Sequence, residues 1–281
     1  MKKVAALVVT YNRKEKLLKN INSLLNQTYK LEKIYIIDNN STDNTYDYIK
    51  KVLDKNKQII YIKLEENTGG SGGFSYGLKT ILENSQCDFV WGMDDDAYPN
   101  DDALEKIMNV RKDGNCYWSN PDNDNDGYTG GIKEVNGWMF VGFFIPLDII
   151  KKVGISKSDY FIYHDDLEYA YRIIKAGYKI YKIKDSVIVH DNGITDCSEL
   201  HKKFLGKNVS IIKLSNWKMY YFVRNSILMY KFSDIKRYKY ALYVMPKLLI
   251  RILIVNRKQF GIAFKGYIHG IFNISGKKVS P

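Results

Sequence analysis

An α/β fold with a mostly parallel, doubly wound sheet is predicted from three observations. Short β-branched and aliphatic runs alternate with stretches of helical periodicity along the first two thirds of the chain. A glycine-rich segment, N-T-G-G-S-G-G-F, stands between a strand and a helix. Three consecutive carboxylates, Asp94, Asp95 and Asp96, close a later apolar run, W-G-M.

Each element follows from its local pattern. Val4 to Val9 is unbroken in aliphatic character and reads as a buried first strand. The basic start followed by this short run ends in Thr10-Tyr11-Asn12 without a small-residue cleavage site, so a strand is expected rather than a signal peptide. Leu17, Leu18, Ile21, Leu24 and Leu25 give helix periodicity from Arg13 to Asn26. Ile34 to Ile37 is a second strand, ended by the polar turn Asp38 to Asp43, which also caps a helix from Thr45 to Leu53. Ile59 to Leu64 is a third strand, and the glycines Gly69, Gly70, Gly72 and Gly73 then form a turn before a helix through Leu78, Ile81 and Leu82. The fourth strand runs to Met93 and delivers the aspartates. Gly114 to Gly131 is rich in Asn, Asp and Gly and reads as an exposed loop, whereas Gly137 to Ile145, which carries Trp138, reads as a strand. His164, Asp165, Asp166 and Glu168 open a helix that Gly177 ends, and Lys179 to Val189 is a last strand leading to His190.

Composition divides the chain. Its 281 residues suffice for a large core without disulfide or metal staples. Cys87, Cys116 and Cys197 are odd in number and show no C-x-x-C spacing, which points to a reducing cytosol rather than a disulfide framework or zinc site. The net charge is +12, but residues 201–281 hold 17 Lys and Arg against one acid, Asp234, leaving residues 1–200 at −4. Two domains are expected, a mildly acidic α/β body over 1–200 and a basic, amphipathic, mainly helical region over 201–281. In that region Trp217, Tyr220, Tyr221, Phe222, Tyr230, Phe232, Tyr238, Tyr240 and Tyr243, and the run Leu248 to Val255, interleave with lysines and arginines. This suits helices lying on an anionic membrane surface. No run reaches the ~18 apolar residues of a spanning helix. The same apolar stripe would serve a dimer interface. Nucleic acid is disfavoured as partner, because the apolar run has no use there.

Asp94 and Asp96 form an Asp-x-Asp pair. Two carboxylates at the carboxyl end of a strand place hard oxygen ligands where open α/β sheets bind ligands, and Mg²⁺ or Mn²⁺ on a diphosphate is the usual occupant. The alternative is capping of the next helix, since Asp101 and Asp102 precede its apolar periodicity.

Taken together, V-V-T-Y-N-R, I-I-D-N-N-S-T-D, the Asp-x-Asp and D-D-L-E-Y with a following V-H resemble the inverting glycosyltransferases of family 2, which have the GT-A fold. The resemblance covers about the first 195 residues. N-T-G-G-S-G-G-F, M-D-D-D and Y-Y-x-x-R-N (Tyr220 to Asn225) look most like bacterial galactofuranosyltransferases and rhamnosyltransferase-like relatives.

The resemblance implies a role for each matching position. Thr10, Tyr11, Asn12 and Arg13, Asp38 and Asn40, and Asn67, Gly70 and Gly73 would line the donor nucleotide, with turn chemistry as the other reading of Asp38 and Asn40. Asp94, Asp96 and His190 would bind Mn²⁺ or Mg²⁺, and Asp94 and Asp95 would also touch the donor. Asp166 would be the base, with Asp165 and Glu168 beside it, helix capping being the alternative for the pair. Trp138, or else an ordinary core aromatic in that place, would floor the acceptor with His164.

The expected function is metal-dependent inverting transfer of galactofuranose from UDP-galactofuranose to a lipid-linked cell-surface glycan, at the cytoplasmic face of the inner membrane. Transfer from dTDP-rhamnose or another UDP-hexose is the alternative on the same fold. A non-catalytic nucleotide-sugar or RNA-binding protein is the alternative of another class.

Overall fold

The structure, a computed structural model, describes residues 2–125, 127–191, 198–229 and 238–280. Tyr230, Phe232, Asp234 and Cys197 lie outside the described residues. The chain divides into two compact units, one of Met1–Ser158 with Tyr169–Asn192, the other of Asp159–Glu168 with Gly193–Pro281.

The first unit is built in chain order from β1 (Val4–Thr10), α1 (Lys14–Leu25), β2 (Lys33–Asp38), α2 (Thr45–Lys55), β3 (Ile59–Lys63), α3 (Gly69–Asn84), β4 (Phe89–Asp94), β5 (Ala97–Pro99), α4 (Ala103–Val110), β6 (Asn115–Pro121), β7 (Ile132–Val135), β8 (Val141–Pro146) and α5 (Leu147–Val153). The later part of α6 (Asp165–Lys175) and β9 (Lys179–His190) complete it. The strands form one sheet in the order β3-β2-β1-β4-β8-β6-β9-β5, with β7 paired to β9. The run β3-β2-β1-β4 is parallel throughout, and β8, β5 and β7 enter antiparallel to their neighbours.

β1 shows why helices cover both faces. Its successive side chains point to opposite sides. Val4, Ala6 and Val8 join Leu17, Ile21 and Leu24 of α1 with Leu104 and Ile107 of α4. Ala5, Leu7 and Val9 join Phe74, Leu78 and Ile81 of α3 with Ile149 and Ile150 of α5 and Ile173 of α6. A strand buried on both faces cannot alternate polar and apolar residues, hence the unbroken V-A-A-L-V-V. Cys87 and Cys116 are free thiols inside this unit.

Three elements differ from expectation. The stretch from Gly114 to Gly131, read as an exposed loop, contains the largely buried strand β6 between β8 and β9. The glycine-rich run is the beginning of α3 rather than a turn before it; only Gly69 has positive φ, at 73°. Gly73 and Gly77 let the helix lie close to β1. A Cβ on Gly73 would stand 2.5 Å from Val9 Cγ1, and one on Gly77 2.2 Å from Leu7 Cδ1. The strand expected from Gly137 begins only at Val141, so Trp138 lies in the loop before β8.

The second unit holds the hairpin β10 (Glu199–Phe204) and β11 (Lys207–Ile212), α7 (Asn216–Leu228), a π-helical turn Tyr240–Val244, α8 (Met245–Val255) and α9 (Phe260–Ile271). Its core joins Ile211 to Met219, Val223 and Ile227 of α7, Met245, Leu249 and Ile252 of α8 and Ala263 of α9. Gly266 and Gly270 let α9 approach α7, because a Cβ there would stand 2.5 Å from the Tyr220 carbonyl and 3.0 Å from that of Arg224.

Candidate active site

Strand register aligns the donor-side residues at the carboxyl ends of the sheet. Thr10 pairs with Asp38 across β1 and β2, and Val9 pairs with Asp94 across β1 and β4. Strand order reverses between β1 and β4, the position where open α/β sheets form a ligand crevice. Thr10 Oγ1 donates across it to Asp95 Oδ2 at 2.7 Å. The antiparallel pairing of β5 with β9 sets Ala97 opposite His190, which brings the imidazole beside Asp96. His190 Nε2 lies 3.4 Å from Asp96 Oδ1. Asp191 N–H donates to the Asp96 carbonyl at 2.8 Å and extends that ladder.

Arg13 bridges the aspartates. Its Nη1 lies 3.2 Å from Asp95 Oδ1 and 2.7 Å from Asp96 Oδ2, while its side chain remains half exposed. Burial opposes its charge, but Asp95, Asp96 and Asp94 outweigh that effect and hold the guanidinium above its usual range. The two buried aspartates diverge. Burial pushes Asp95 up to about 6 despite Arg13 and Thr10. Burial acts on Asp96 in the same sense, yet His190, Arg13 and Lys16 hold it below the usual carboxylate range. Adjacent carboxyls driven apart in this way take different tasks. Asp96 Oδ2 and Asp95 Oδ1 both pair with Arg13, and Asp95 also accepts from Thr10, which braces β1 against the arginine.

The donor set fits a divalent ion. A carboxylate oxygen and an imidazole nitrogen 3.4 Å apart are spaced to ligate one ion from adjacent positions. Among the described residues no group of three His, Cys, Asp or Glu side chains is placed to hold a metal. The remaining ligands would therefore be diphosphate oxygens and water, the usual way of holding Mg²⁺. Asp94 ends β4 with its N–H donated to the Phe140 carbonyl at 3.1 Å. The aspartates lie before β5, a strand away from the start of α4, so they do not cap that helix.

The other donor-side residues form a braced loop cluster. Asn12, at φ 53°, donates its N–H to Ser41 Oγ at 2.9 Å and accepts from Thr42 N at 2.7 Å, tying the β1 loop to the β2 loop. Asp38 accepts from Ser41 N at 2.7 Å and from the Tyr61 hydroxyl, and it is 1% exposed, so here it organises the turn instead of facing a ligand. Asn40 donates to the Glu65 carbonyl at 3.0 Å. Asn67 Oδ1 accepts from Gly69 N at 2.8 Å at the start of α3. Tyr11 is 41% exposed, and a Cβ on Gly70 would meet open space. Gly73, in contrast, is spent on packing against β1.

Trp138 is 1% exposed and packs on Phe143 and Tyr169, with centroids 5.5 and 6.3 Å away. It is a core aromatic here, not an open floor for a sugar.

A second acidic cluster lies in the second unit. Asp165 and Asp166 open α6, followed one residue later by Glu168. Asp166 Oδ1 accepts from Leu167 N at 2.7 Å. Burial, reinforced by the Asp165 carboxylate, pushes Asp166 up to about 7. That range suits a carboxylate that exchanges a proton near neutrality. His164 is held down to about 4 by burial, and its Nε2 lies 3.0 Å from Ser226 Oγ. Ser226 Oγ also lies 2.7 Å from the Phe222 carbonyl, to which it donates within α7. Burial keeps His164 neutral, and its Nε2 is tethered to Ser226.

The residues before this cluster are strained. Phe161, Tyr163 and His164 have φ of 68°, 67° and 65°, a region costly for side-chain-bearing residues. Arg224 and Asn225, both fully buried on α7, hold them. Asn225 Nδ2 donates to the carbonyls of Tyr160, Ile162 and Tyr163 at 2.9, 2.7 and 3.0 Å. Arg224 Nη2 donates to the carbonyls of Asp159 and Tyr160 at 3.2 and 2.8 Å, and its Nε to Asn225 Oδ1 at 2.8 Å. Sequence reading placed Arg224 and Asn225 only in a motif and missed this role. It also missed Lys16, 4.0 Å from Asp96, and Asn39, whose Oδ1 accepts from Thr68 N at 2.9 Å. Lys16 lies three positions after Arg13, the one pattern that could have indicated it. Asn225→Ala should leave buried carbonyls unpaired, lower stability by about 1–3 kcal/mol and speed amide exchange selectively around residues 160–168, as measured by hydrogen exchange.

The model of the family described as "Glycosyl transferase family 2" matches residues 5–161, more than half of the chain. The chain belongs to glycosyltransferase family 2. Similar family 2 and related proteins include the poly(ribitol-phosphate) beta-N-acetylglucosaminyltransferase TarP of Staphylococcus aureus strain N315, 32% identical over 62% of this chain and 48% of that protein. Another is the galactofuranosyltransferase GlfT1 of Mycolicibacterium smegmatis, 23% identical over 62% of this chain and 66% of that protein. The chain thus spans about half to two thirds of the length of these relatives. Its fold resembles that of the mannosyltransferase PcManGT from Pyrobaculum calidifontis, solved with GDP-Man and Mn²⁺, at a TM-score of 0.62, 12% identity and coverage of 97% and 88% of the two chains. It also resembles GalNAc-T7, solved with UDP, GalNAc and Mn²⁺, at 0.66, 14% identity and coverage of 94% and 55%. This family 2 chain therefore has the GT-A fold expected from its motifs.

Proposed function

We propose that this family 2 chain transfers a hexosyl group, with inversion, from a UDP-sugar to a glycan hydroxyl, using a divalent metal held by Asp96 and His190. The observation that carries the reading is the Asp96–His190 pair, created by the β5–β9 register and flanked by Arg13. Mn²⁺ or Mg²⁺ bound there supplies Lewis-acid neutralisation of the departing diphosphate. Arg13 and Lys16 add positive charge on the same side. Asp166 accepts the proton of the acceptor hydroxyl as that oxygen attacks the anomeric carbon and the bond to the diphosphate breaks.

The donor we propose is UDP-galactofuranose, supported by the motif resemblance and by the GlfT1 match at 23% identity. The TarP match at 32% identity favours UDP-N-acetylglucosamine as a second reading. The acceptor is read as a lipid-linked glycan. That agrees with the basic second unit, whose α8 exposes Ile250 and Leu253 beside Lys247 and Arg251. None of the described helices is long and apolar enough to cross a membrane. We read the surface as peripheral attachment to an anionic leaflet.

A donor panel tests the reading. The protein, with Mn²⁺ or EDTA, is offered UDP-galactofuranose, UDP-galactose, UDP-N-acetylglucosamine, UDP-glucose and dTDP-rhamnose, and release of nucleotide diphosphate is followed. Metal-dependent turnover of one donor is expected. Absence of both turnover and Mn²⁺-dependent UDP binding would overturn the enzyme reading.

A further inference from the structure

The β10–β11 hairpin carries a feature that sugar transfer does not use. Phe204 pairs with Lys207, so the turn consists of Leu205 and Gly206 alone. Both have positive φ, 49° and 75°. That is the signature of a type I′ turn, whose first central position ordinarily takes Asn, Asp or Gly. A leucine there is strained by its Cβ. It is also 87% exposed, and its neighbour Phe204 is 47% exposed. The hairpin thus holds its most exposed large apolar residue in an unfavourable conformation at the point furthest from its own anchorage.

That anchorage is firm. Leu200 and Ile211 face each other near the open end of the hairpin and pack into the core with Met245, Leu249 and Ile252 of α8. Strand alternation puts Leu200, Lys202 and Phe204 on one face. Lys202, Lys203 and Lys207 surround the tip, all exposed. No carboxylate occurs in the sequence between Glu199 and Asp234 to balance them.

We infer that the Phe204-Leu205 tip inserts into an anionic lipid surface, with Lys202, Lys203 and Lys207 seated among the phosphate headgroups. The inference rests on the membrane part of the proposed function and identifies which element enters the bilayer. Charge complementarity selects the occupant, since an apolar apex with a collar of lysines and no acids matches the acyl boundary beneath anionic phosphates. A protein partner is the poorer match. A two-residue apex falls far short of the ~800 Å² per side of a stable interface, and lysines along a strand edge discourage sheet extension.

The full chain is sedimented with vesicles of phosphatidylcholine alone or mixed with phosphatidylglycerol, as wild type, Leu205→Asn, Phe204→Ser and Lys202/Lys203/Lys207→Ala. Leu205→Asn is the decisive variant. Asn-Gly is the preferred type I′ pair, so this variant should melt no lower than wild type while its affinity for anionic vesicles falls about tenfold or more. Phe204→Ser should show a similar loss. The triple alanine variant should lose the salt-sensitive part of binding. Wild-type binding to anionic vesicles with Leu205→Asn bound equally well would overturn the tip assignment and leave the membrane reading standing. Failure of wild type to bind any vesicle would remove the membrane reading and this inference with it. A change in self-association with unchanged lipid binding, seen by sedimentation velocity, would reassign the tip to a contact between copies and overturn the proposal.

Discussion

Asp96→Ala is expected to abolish metal-dependent UDP binding and to lower kcat/KM by about three orders of magnitude, or ~4 kcal/mol of transition-state stabilisation. The size follows from the position of this carboxylate. Asp96 is buried, is held anionic by His190, Arg13 and Lys16, and shares the candidate ion site with one imidazole. Its removal leaves a lone histidine, too few protein ligands to keep an ion on a diphosphate. The effect on folding should be small, because Arg13 is half exposed and retains Asp95 as partner. Isothermal titration of UDP with Mn²⁺ and with EDTA reads the first effect, and thermal melting the second. Unchanged Mn²⁺-dependent affinity in a folded variant would dismiss the metal role of Asp96.

Asp166→Asn should be the other severe change, with a loss of about 10²–10⁴-fold in kcat and little change in donor affinity. Asn keeps the oxygen that accepts from Leu167 N, so the start of α6 stays braced. The pH dependence identifies the role. With Asp166 pushed up to about 7, wild-type kcat/KM should rise about tenfold per pH unit on the acid side and level off above that value. The variant should lose this slope. Stability moves in the opposite sense. A carboxyl whose pKa is raised on folding contributes stability that is complete below the unfolded value, near 4, and lost as pH rises through about 7. Asn does not titrate, so the variant should gain stability relative to wild type across that window and melt higher at pH 8. A stable but inactive protein marks a group kept for chemistry at the expense of the fold. Retention of wild-type turnover in this variant would move the base elsewhere.

The parallel half of the sheet was legible because its signals are local. A doubly buried strand must be unbroken in apolar character, and polar residues must end it where the crevice opens. That is why Val4 to Val9, Asp38 and the aspartates at 94–96 could be placed from the sequence. His190 was found through its motif, but its contact with Asp96 depends on the antiparallel pairing of β5 with β9, which leaves no local pattern. The glycine run misled because glycine disfavours helix intrinsically, whereas here the close approach of α3 to β1 outweighs propensity. Trp138 stayed open between an acceptor floor and a core aromatic, since its burial against Phe143 and Tyr169 comes from tertiary packing. Arg224 carries a charge into the interior without a carboxylate to announce it; apart from Asn225 Oδ1, its hydrogen-bond acceptors are main-chain carbonyls, which every sequence contains.

Under the proposed function, the meeting of Asp96 with His190 also ties ion binding to completion of the sheet. Asp96 stands between β4 and β5 and His190 ends β9, so the pair comes together only when β9, the last strand of the sheet, docks against β5. Under that function, a sheet assembled only from β1 to β4 would lack the pair proposed to secure the diphosphate.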